Sequence, residues 1–192
     1  MNLNLTEIVF LIDRSGSMGG LETDTIGGFN AFIENQKQIQ GDTVVTTVLF
    51  DDRYQLLYNG IEADKVKLSN KEYFVRGSTA LLDAIGKTII DVGYRLSVME
   101  ESQRPAKVIF VITTDGMENA SKEFTYKKVK ELIKHQQEKY QWEFIFLGAN
   151  IDASKEAGNI GISTENAFNY EASKVGVEKM YCQVGEVVRR KR

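Results

Sequence analysis

Three short, uninterrupted apolar runs are the feature that most constrains the fold of this 192-residue chain. They cover residues 8–12, 108–112 and 144–147 and are rich in β-branched and aromatic residues. A strand that is buried on both faces has this character, whereas a strand with one exposed face alternates apolar and polar residues. The runs therefore predict central strands of a parallel sheet that is covered on both sides.

A fourth β-rich segment, residues 44–50, is more polar than these runs. Only three residues separate it from a further β-rich segment at 54–58. Because a gap this short fits a hairpin, we expect the second of these strands to be antiparallel and to lie at the edge of the sheet.

Helical periodicity fills much of the chain between and after the strands. Apolar residues within 82–99 recur at steps of three and four, which defines one face of a long helix. Similar patterns predict helices within 26–39 and around 129–133, a short helix over 153–157, and a last helix over 171–188. Strand–helix alternation of this kind predicts an α/β fold, a three-layer sandwich with helices on both faces of the sheet.

Composition excludes several classes of protein. The chain is 42% apolar and 27% charged, like an ordinary globular protein, and its length suits one domain. A net charge of -3 argues against a nucleic-acid binder, and no apolar run approaches the ~20 residues of a membrane helix. We expect a cytoplasmic monomer without a targeting segment, and a frayed, solvated end at the basic residues 189–192.

Oxygen-bearing side chains are concentrated where two of the buried strands end. Asp13, Ser15 and Ser17 follow the first strand in a D-x-S-x-S spacing, and Asp115 follows the second apolar run. Thr79 lies just before the long helix. If the two strands are neighbours at the centre of the sheet, their carboxyl ends meet at one crevice, where open α/β sheets bind ligands.

Two carboxylates and three hydroxyls make a donor set of oxygen atoms alone. Such a set suits a hard cation, Mg²⁺ or alternatively Mn²⁺. The chain has one cysteine, Cys182, and one histidine, His135, which argues against a zinc site built from thiolates or several imidazoles. Because two carboxylates balance a divalent ion and hydroxyls add no charge, we predict an open site that waters and one oxygen of a partner complete.

This pattern, D-x-S-x-S followed by a Thr and then an Asp, resembles the metal-ion-dependent adhesion site (MIDAS) of von Willebrand factor A (vWA) domains. The segments VFLIDRSGSM, RGSTALLDAI and VIFVITTDG also resemble vWA segments, and the similarity covers at least residues 5–150. The resemblance implies a Rossmann-like, mostly parallel sheet of order 3-2-1-4-5-6 with strand 3 antiparallel. It also implies that a single vWA domain spans residues 1–192.

The resemblance implies a function as well. In a vWA domain of this kind, a divalent cation at the MIDAS binds an Asp or Glu of a protein partner, without catalysis. The metal ligands that the resemblance implies in this chain are Asp13, Ser15, Ser17, Thr79 and Asp115. The chain looks most like small stand-alone bacterial vWA proteins, some of which are associated with tellurite resistance and stress operons.

Enzyme classes are the alternatives. A serine hydrolase needs a base beside its serine, but His135 lies late in a Lys-rich helix and is expected on the surface, at the far end of the sheet. The triplet 86–88 ends like a P-loop but lies inside the predicted long helix, and the first glycine of that motif is missing. The main alternative is an Mg²⁺-dependent phosphoryl hydrolase with Asp13 as nucleophile. Such enzymes normally place a second Asp two residues later, where this chain has Ser15.

Four further side chains lie close to these elements or in the last helix. Asp51 and Asp52 end the second strand and are either turn residues or groups near the metal, as a second shell or an extra cation site. Asp83 is expected on the first turn of the long helix, where the helix dipole favours a negative charge. Cys182 is expected to be a small buried hydrophobe in the last helix.

Overall fold

The computed structural model describes all residues from Met1 to Arg192 and has a six-stranded sheet as its middle layer. The strands are β1 (Asn2–Asp13), β2 (Asp42–Phe50), β3 (Tyr54–Glu62), β4 (Pro105–Thr114), β5 (Glu143–Ala149) and β6 (Ala167–Tyr170). Their order is β3-β2-β1-β4-β5-β6, and every neighbouring pair is parallel except β2 and β3. The predicted order and the antiparallel edge strand are confirmed.

Five helices cover the two faces of the sheet. They are α1 (Glu22–Lys37), α2 (Leu81–Val98), α3 (Tyr126–Tyr140), α4 (Ala153–Asn159) and α5 (Lys174–Lys191). Buried side chains of α2, α3 and α4 share one hydrophobic cluster with the sheet, and those of α1 and α5 share the other. The predicted three-layer α/β sandwich is therefore confirmed.

The apolar run of β1 is uninterrupted because its side chains point alternately into the two clusters. Val9 and Leu11 pack on the side of α2, while Ile8, Phe10 and Ile12 pack on the side of α1 and α5. Each of these side chains is completely buried, and full burial of such a residue contributes about 1.5–3 kcal/mol. The central strands thus anchor both cores and hold their carboxyl ends firmly in place.

The last helix differs from its prediction at both ends. It begins at Lys174 and continues to Lys191, so the basic end is helical and the expected frayed terminus is wrong. Arg192 donates hydrogen bonds to the carbonyl oxygen of Gln36 (3.0 Å) and to Oγ1 of Thr43 (2.8 Å). The helix thus brings Arg192 to the amino end of β2, where a carbonyl and a hydroxyl oxygen accept its N–H groups.

Cys182 is exposed, which corrects the expectation that it is buried. The inward stripe of α5 is formed by Val177, Met180, Tyr181 and Val184, and position 182 falls off that stripe. None of the helices combines the length and the apolar character that crossing a membrane requires.

Candidate metal site

The candidate site lies where β1 and β4 end side by side. Ile12 of β1 is paired with Thr113 of β4, so Asp13 and Asp115 extend from neighbouring strands at the carboxyl edge of the sheet. Thr79 reaches the same edge from the loop that precedes α2. Sheet order therefore brings together three segments that are far apart in the sequence, as the spacing of the motifs predicts.

The five predicted ligands form one connected network of hydrogen bonds. Thr79 Oγ1 donates to Ser15 Oγ (3.0 Å), and the hydroxyl oxygens of Ser15 and Ser17 are 3.1 Å apart. Ser17 Oγ in turn donates to Asp115 Oδ1 at 2.6 Å. Asp13 Oδ1 accepts the backbone N–H of Ser15 at 2.7 Å, which fixes the first turn of the loop. The network thus joins all five predicted positions at one edge of the sheet.

The oxygens of this network are only partly satisfied within the protein. Asp115 Oδ2 is buried and has no hydrogen-bond partner, and Asp13 Oδ2 accepts only from Thr114 Oγ1 (2.6 Å). Leaving a buried acceptor unpaired costs about 1–3 kcal/mol, more for a charged group. A divalent cation would compensate this cost, so the residues present fit a metal. Ser17 is exposed, which leaves the site open to solvent.

Gly116 allows the three loops of the candidate site to lie close together. A Cβ at this position would lie 3.3 Å from both Ser17 Oγ and Thr79 Oγ1. A side chain here would therefore press on two hydroxyl groups of the hydrogen-bonded network. Gly116 therefore lets the loop after β4 approach the other two loops closely.

Both carboxyl groups have perturbed ionisation. Burial raises the pKa of Asp13 to about 6, although hydrogen bonds from Thr114 and Ser15 oppose the rise. Burial also raises the pKa of Asp115 above its usual range, with a hydrogen bond from Ser17 opposing it. Two buried carboxylates at one edge disfavour each other's charge, and a bound cation would favour both.

A metal at this edge must depend on hydroxyl ligands. The structure contains no cluster of three or more His, Cys, Asp or Glu side chains that could hold a metal ion. With only two carboxylates, the charge of the site would just balance a divalent cation. Such a balance would limit the affinity that the protein alone could supply.

Comparison with known proteins identifies the fold. No family model and no curated protein matches the sequence. Solved structures do match: proximal thread matrix protein 1 (PTMP1) from the mussel byssus superposes with a TM-score of 0.68 at 17% identity, covering 97% of this chain and 47% of PTMP1. The ArnB paralog VWA2 from Sulfolobus acidocaldarius has a TM-score of 0.60 at 15% identity, covering 96% of this chain and 45% of VWA2. The chain has a vWA fold.

Two further structures extend this comparison. The PilB minor pilin from Streptococcus sanguinis has a TM-score of 0.67 at 12% identity, covering 99% of this chain and 62% of PilB. A second PTMP1 structure has a zinc-occupied MIDAS motif. It superposes with a TM-score of 0.64 at 19% identity, and the match covers 97% of this chain and 46% of PTMP1. The chain spans about half the length of most of these proteins, and at such low identity the likeness shows the fold alone.

Thr79 is held in place by the loop that follows β4, a contact that the sequence did not reveal. Asn119 Oδ1 accepts the backbone N–H of Thr79 (3.0 Å), and the carbonyl oxygen of Thr79 accepts the N–H groups of Asn119 (3.1 Å) and Ala120 (3.2 Å). Asn119 lies only four residues after Asp115, so this contact ties two ligand-bearing loops to each other. A single asparagine in a polar loop gives no sequence signal of such a role.

Asp83 and Glu118 strengthen the same junction. Asp83 lies on the first turn of α2, as expected, but its carboxylate accepts three backbone N–H groups of the loop after β4, from residues 122–124. In return, Glu118 Oε2 accepts the N–H of Leu82 at 2.9 Å. The helix terminus and the loop thus satisfy each other's free backbone groups.

Asp51 has a role that neither sequence interpretation anticipated in full. Its Oδ2 atom accepts from Arg14 Nε (2.9 Å) and Arg76 Nε (2.6 Å), and its Oδ1 atom accepts the N–H of Arg53 (2.7 Å) as in a turn. Burial alone would raise the pKa of Asp51, but these hydrogen bonds hold it below the usual range. Asp52 is exposed. Both oxygens of Asp51 therefore already accept hydrogen bonds from arginine residues.

His135 lies far from the serines, as predicted. It is exposed on α3 and lines a cavity of about 550 Å³ together with Tyr94, Pro105 and Trp142. Pro105 begins β4, so this cavity is at the amino end of the sheet, opposite the candidate metal site. No imidazole is available to activate Ser15 or Ser17 as a nucleophile.

Proposed function

We propose that this vWA domain binds a divalent cation, Mg²⁺ or Mn²⁺, and through it an Asp or Glu side chain of a protein partner, without catalysis. The proposed ligands are Asp13, Ser15, Ser17, Thr79 and Asp115. The observation that carries the proposal is a hydrogen-bonded chain of four side chains, from Thr79 through Ser15 and Ser17 to Asp115, whose second carboxylate oxygen is buried without a partner. Asp13 joins this chain by accepting the backbone N–H of Ser15.

The donor chemistry supports the choice of metal. All five side chains offer oxygen atoms, which Mg²⁺ and Mn²⁺ prefer, and none offers the nitrogen or sulfur that zinc commonly uses. PTMP1 has zinc at its MIDAS motif, so a vWA fold at this level of similarity accommodates a divalent ion. We therefore expect this site to accept zinc as well, but to select Mg²⁺ where that ion is abundant.

Charge explains why the partner residue should be acidic. When bound, the cation supplies a positive centre that an external carboxylate can coordinate. Asp13 and Asp115 offset its two charges, so an approaching carboxylate meets no excess of negative charge. Without the cation, the same carboxylate would face two buried acids and be repelled. Partner binding should consequently change from attractive to repulsive when the metal is removed.

The serine at the position two residues after Asp13 favours binding over hydrolysis. A phosphoryl hydrolase with Asp13 as nucleophile would need an acid or base near its leaving group. Ser15 occupies the position two residues after Asp13, its hydroxyl lies between those of Ser17 and Thr79, and Arg14 pairs with Asp51. We propose that the phosphoryl-hydrolase alternative does not apply.

Titration calorimetry with Mn²⁺ tests the metal site directly. We expect saturable binding of one ion by the wild-type domain and loss of binding in Asp115→Asn. Asp52→Asn is the matched control, because it removes the same charge from an exposed acid near the site and should bind as wild type. Absence of binding by the wild type at millimolar Mn²⁺, or equal binding by Asp115→Asn, would contradict the proposal.

Two further assays test the partner and the chemistry. A partner captured on the immobilised domain in Mg²⁺ should be released by EDTA and should not bind to Asp115→Asn. Phosphoester turnover that requires Mg²⁺ and disappears in Asp13→Ala would instead establish the hydrolase.

A further inference from the structure

The loop that carries Thr79 is attached to the end of β2 through one shared carboxylate. Arg76, three residues before Thr79, donates from Nε to Asp51 Oδ2 at 2.6 Å. Arg14, which lies between the proposed ligands Asp13 and Ser15, donates from Nε to the same oxygen at 2.9 Å. One buried carboxylate therefore joins the loop of Thr79 to the loop of the D-x-S-x-S motif.

Backbone hydrogen bonds run alongside this ion-pair cluster. The N–H of Arg76 donates to the carbonyl oxygen of Arg14 (2.9 Å), and the N–H of Gly16 donates to that of Gly77 (3.1 Å). On the other side of Thr79, the N–H of Ala80 donates to the carbonyl oxygen of Asp51 (2.9 Å). Thr79 is thus bracketed by contacts to the two strand ends that flank the site.

The cluster is well shielded from water. The side chains of Arg14 and Asp51 are completely buried, and that of Arg76 is 34% exposed. The ring centroid of Phe74 lies 5.4 Å from the guanidinium carbon of Arg14 and 5.4 Å from that of Arg76. Hydrogen bonds between charged groups are strong and directional in such surroundings, so the cluster can fix the loop in one position.

We propose that Asp51 and Arg76 are positioning residues that hold the Thr79 loop against the metal-ligand loop, so that Thr79 is in place before the metal binds. Neither residue is one of the proposed ligands. The inference rests on the proposed function, because it concerns the affinity of that same site. On this proposal, the ion pair between Asp51 and Arg76 orients a candidate ligand in addition to stabilising the fold.

Electrostatics and positioning predict opposite effects of removing Arg76. Arg76 is a cation near a cation site, so its loss would strengthen metal binding if charge repulsion were its main influence. If Arg76 instead positions the loop, its loss releases Thr79 and weakens metal binding. The sign of the change in affinity therefore decides between the two.

The experiment compares two arginines that each pair with a completely buried acid. Arg76→Gln and Arg76→Ala break the contact with Asp51, while Arg14 still pairs with that acid, so we expect both variants to fold. Arg95→Gln is the matched control: Arg95 is 21% exposed and pairs with the buried Glu7 in the amino-terminal half of β1. Titration calorimetry measures Mn²⁺ affinity at a temperature at which circular dichroism shows every protein folded.

We expect both Arg76 variants to bind Mn²⁺ about fivefold more weakly than wild type, the loss that releasing one hydrogen-bonded ligand would cause. Arg95→Gln should bind within about twofold of wild type even if it is less stable. Unchanged or tighter binding by both Arg76 variants would overturn the proposal.

Hydrogen exchange in EDTA provides a readout without metal. The amide protons of Gly16 and Ala80 should exchange faster in Arg76→Gln than in wild type, and should be unaffected in Arg95→Gln. Equal exchange in all three proteins would overturn the proposal. If the wild type binds no Mn²⁺, the proposed function fails, while these exchange rates still decide whether Arg76 holds the loop.

Discussion

Two buried ion-pair clusters lie toward opposite ends of the same sheet and join different kinds of structural element. At the carboxyl end, Asp51 accepts from Arg14 and Arg76, and both arginines lie in loops. In the amino-terminal half, Glu7 of β1 accepts from Arg95 of α2, and both residues lie inside regular elements. Similar chemistry thus fixes the position of loops in one place and the packing of a helix on the sheet in the other.

The cluster around Glu7 joins helix α2 to three strands of the sheet. Thr46 Oγ1 of β2 donates to Glu7 Oε1 (2.6 Å) and accepts the N–H of Gly60 in β3 (2.9 Å), so three strands and one helix meet there. Glu7 Oε2 has no partner. Buried charges are costly to desolvate, and their benefit is often a single defined arrangement of the elements that they join. The two clusters can therefore be separated by experiments that distinguish stability from metal binding.

The largest expected effect is the loss of the amino-terminal cluster. Arg95→Ala leaves the Glu7 carboxylate buried without its cation, so we expect the free energy of unfolding to fall by about 3 kcal/mol. Urea unfolding in EDTA measures the loss. The gain in stability on adding saturating Mn²⁺ should equal that of the wild type, because Arg95 is remote from the metal site. A loss below about 1 kcal/mol would show that the ion pair is dispensable.

The second-largest expected effect is a gain in stability when Asp13, at the carboxyl edge of the sheet, is replaced by asparagine. The pKa of Asp13 is raised to about 6 by burial, so the folded protein favours the protonated acid. A raised pKa contributes stability that is fully present below the unfolded value, ~3.9, and is lost as the pH rises through about 6. In EDTA, Asp13→Asn should therefore be more stable than wild type at pH 7, by about 2 kcal/mol.

The pH dependence of stability should distinguish Asp13 from Asp51, another buried aspartate near this edge. Asp51 has a lowered pKa, so the stability that it contributes is lost only below the pH range of the measurement. The difference in unfolding free energy between Asp13→Asn and wild type should shrink as the pH is lowered from 7 to 5. A difference that stays constant over this range would show that Asp13 does not titrate there.

A smaller effect is expected at Thr79, where binding and folding should separate. Thr79→Ala removes one hydrogen bond to Ser15, so the free energy of unfolding in EDTA should fall by about 1 kcal/mol or less. Mn²⁺ affinity and the capture of a partner should fall several-fold, because the hydroxyl is one of the proposed ligands. Equal partner capture by wild type and Thr79→Ala would remove Thr79 from the site.

The smallest effect extends the comparison to the basic end of the chain. Arg192→Ala removes hydrogen bonds to Gln36 and Thr43 and should lower the free energy of unfolding by about 1 kcal/mol. Arg189 is exposed, and its nearest acid, Glu186, is 3.8 Å away and also exposed, so Arg189→Ala should change the stability by less than about 0.5 kcal/mol. Chemical unfolding of the two variants side by side would show whether the terminus is held in place.

Much of the architecture could be predicted because its signals are local. The apolar runs of β1, β4 and β5 and the three-and-four steps of α2 each follow from how one element is buried. The D-x-S-x-S spacing and Asp115 come directly after two of these runs, so placing the strands also places four of the five candidate ligands. The short β6 has four residues and gives no such signal from its own pattern; it was implied only by the resemblance to vWA domains.

What the sequence by itself determined is therefore most of the elements and the edge of the sheet that bears the polar residues, including the five candidate oxygen donors. The tertiary structure alone decided which partners Asp51, Asn119 and Arg192 have and that Cys182 is exposed. These depend on loop paths and on the rotation of α5, which are set by packing between segments far apart in the chain. An acid in a turn has the same sequence whether water, a metal or two arginines surround it, and only the folded chain brings Arg14 and Arg76 to Asp51.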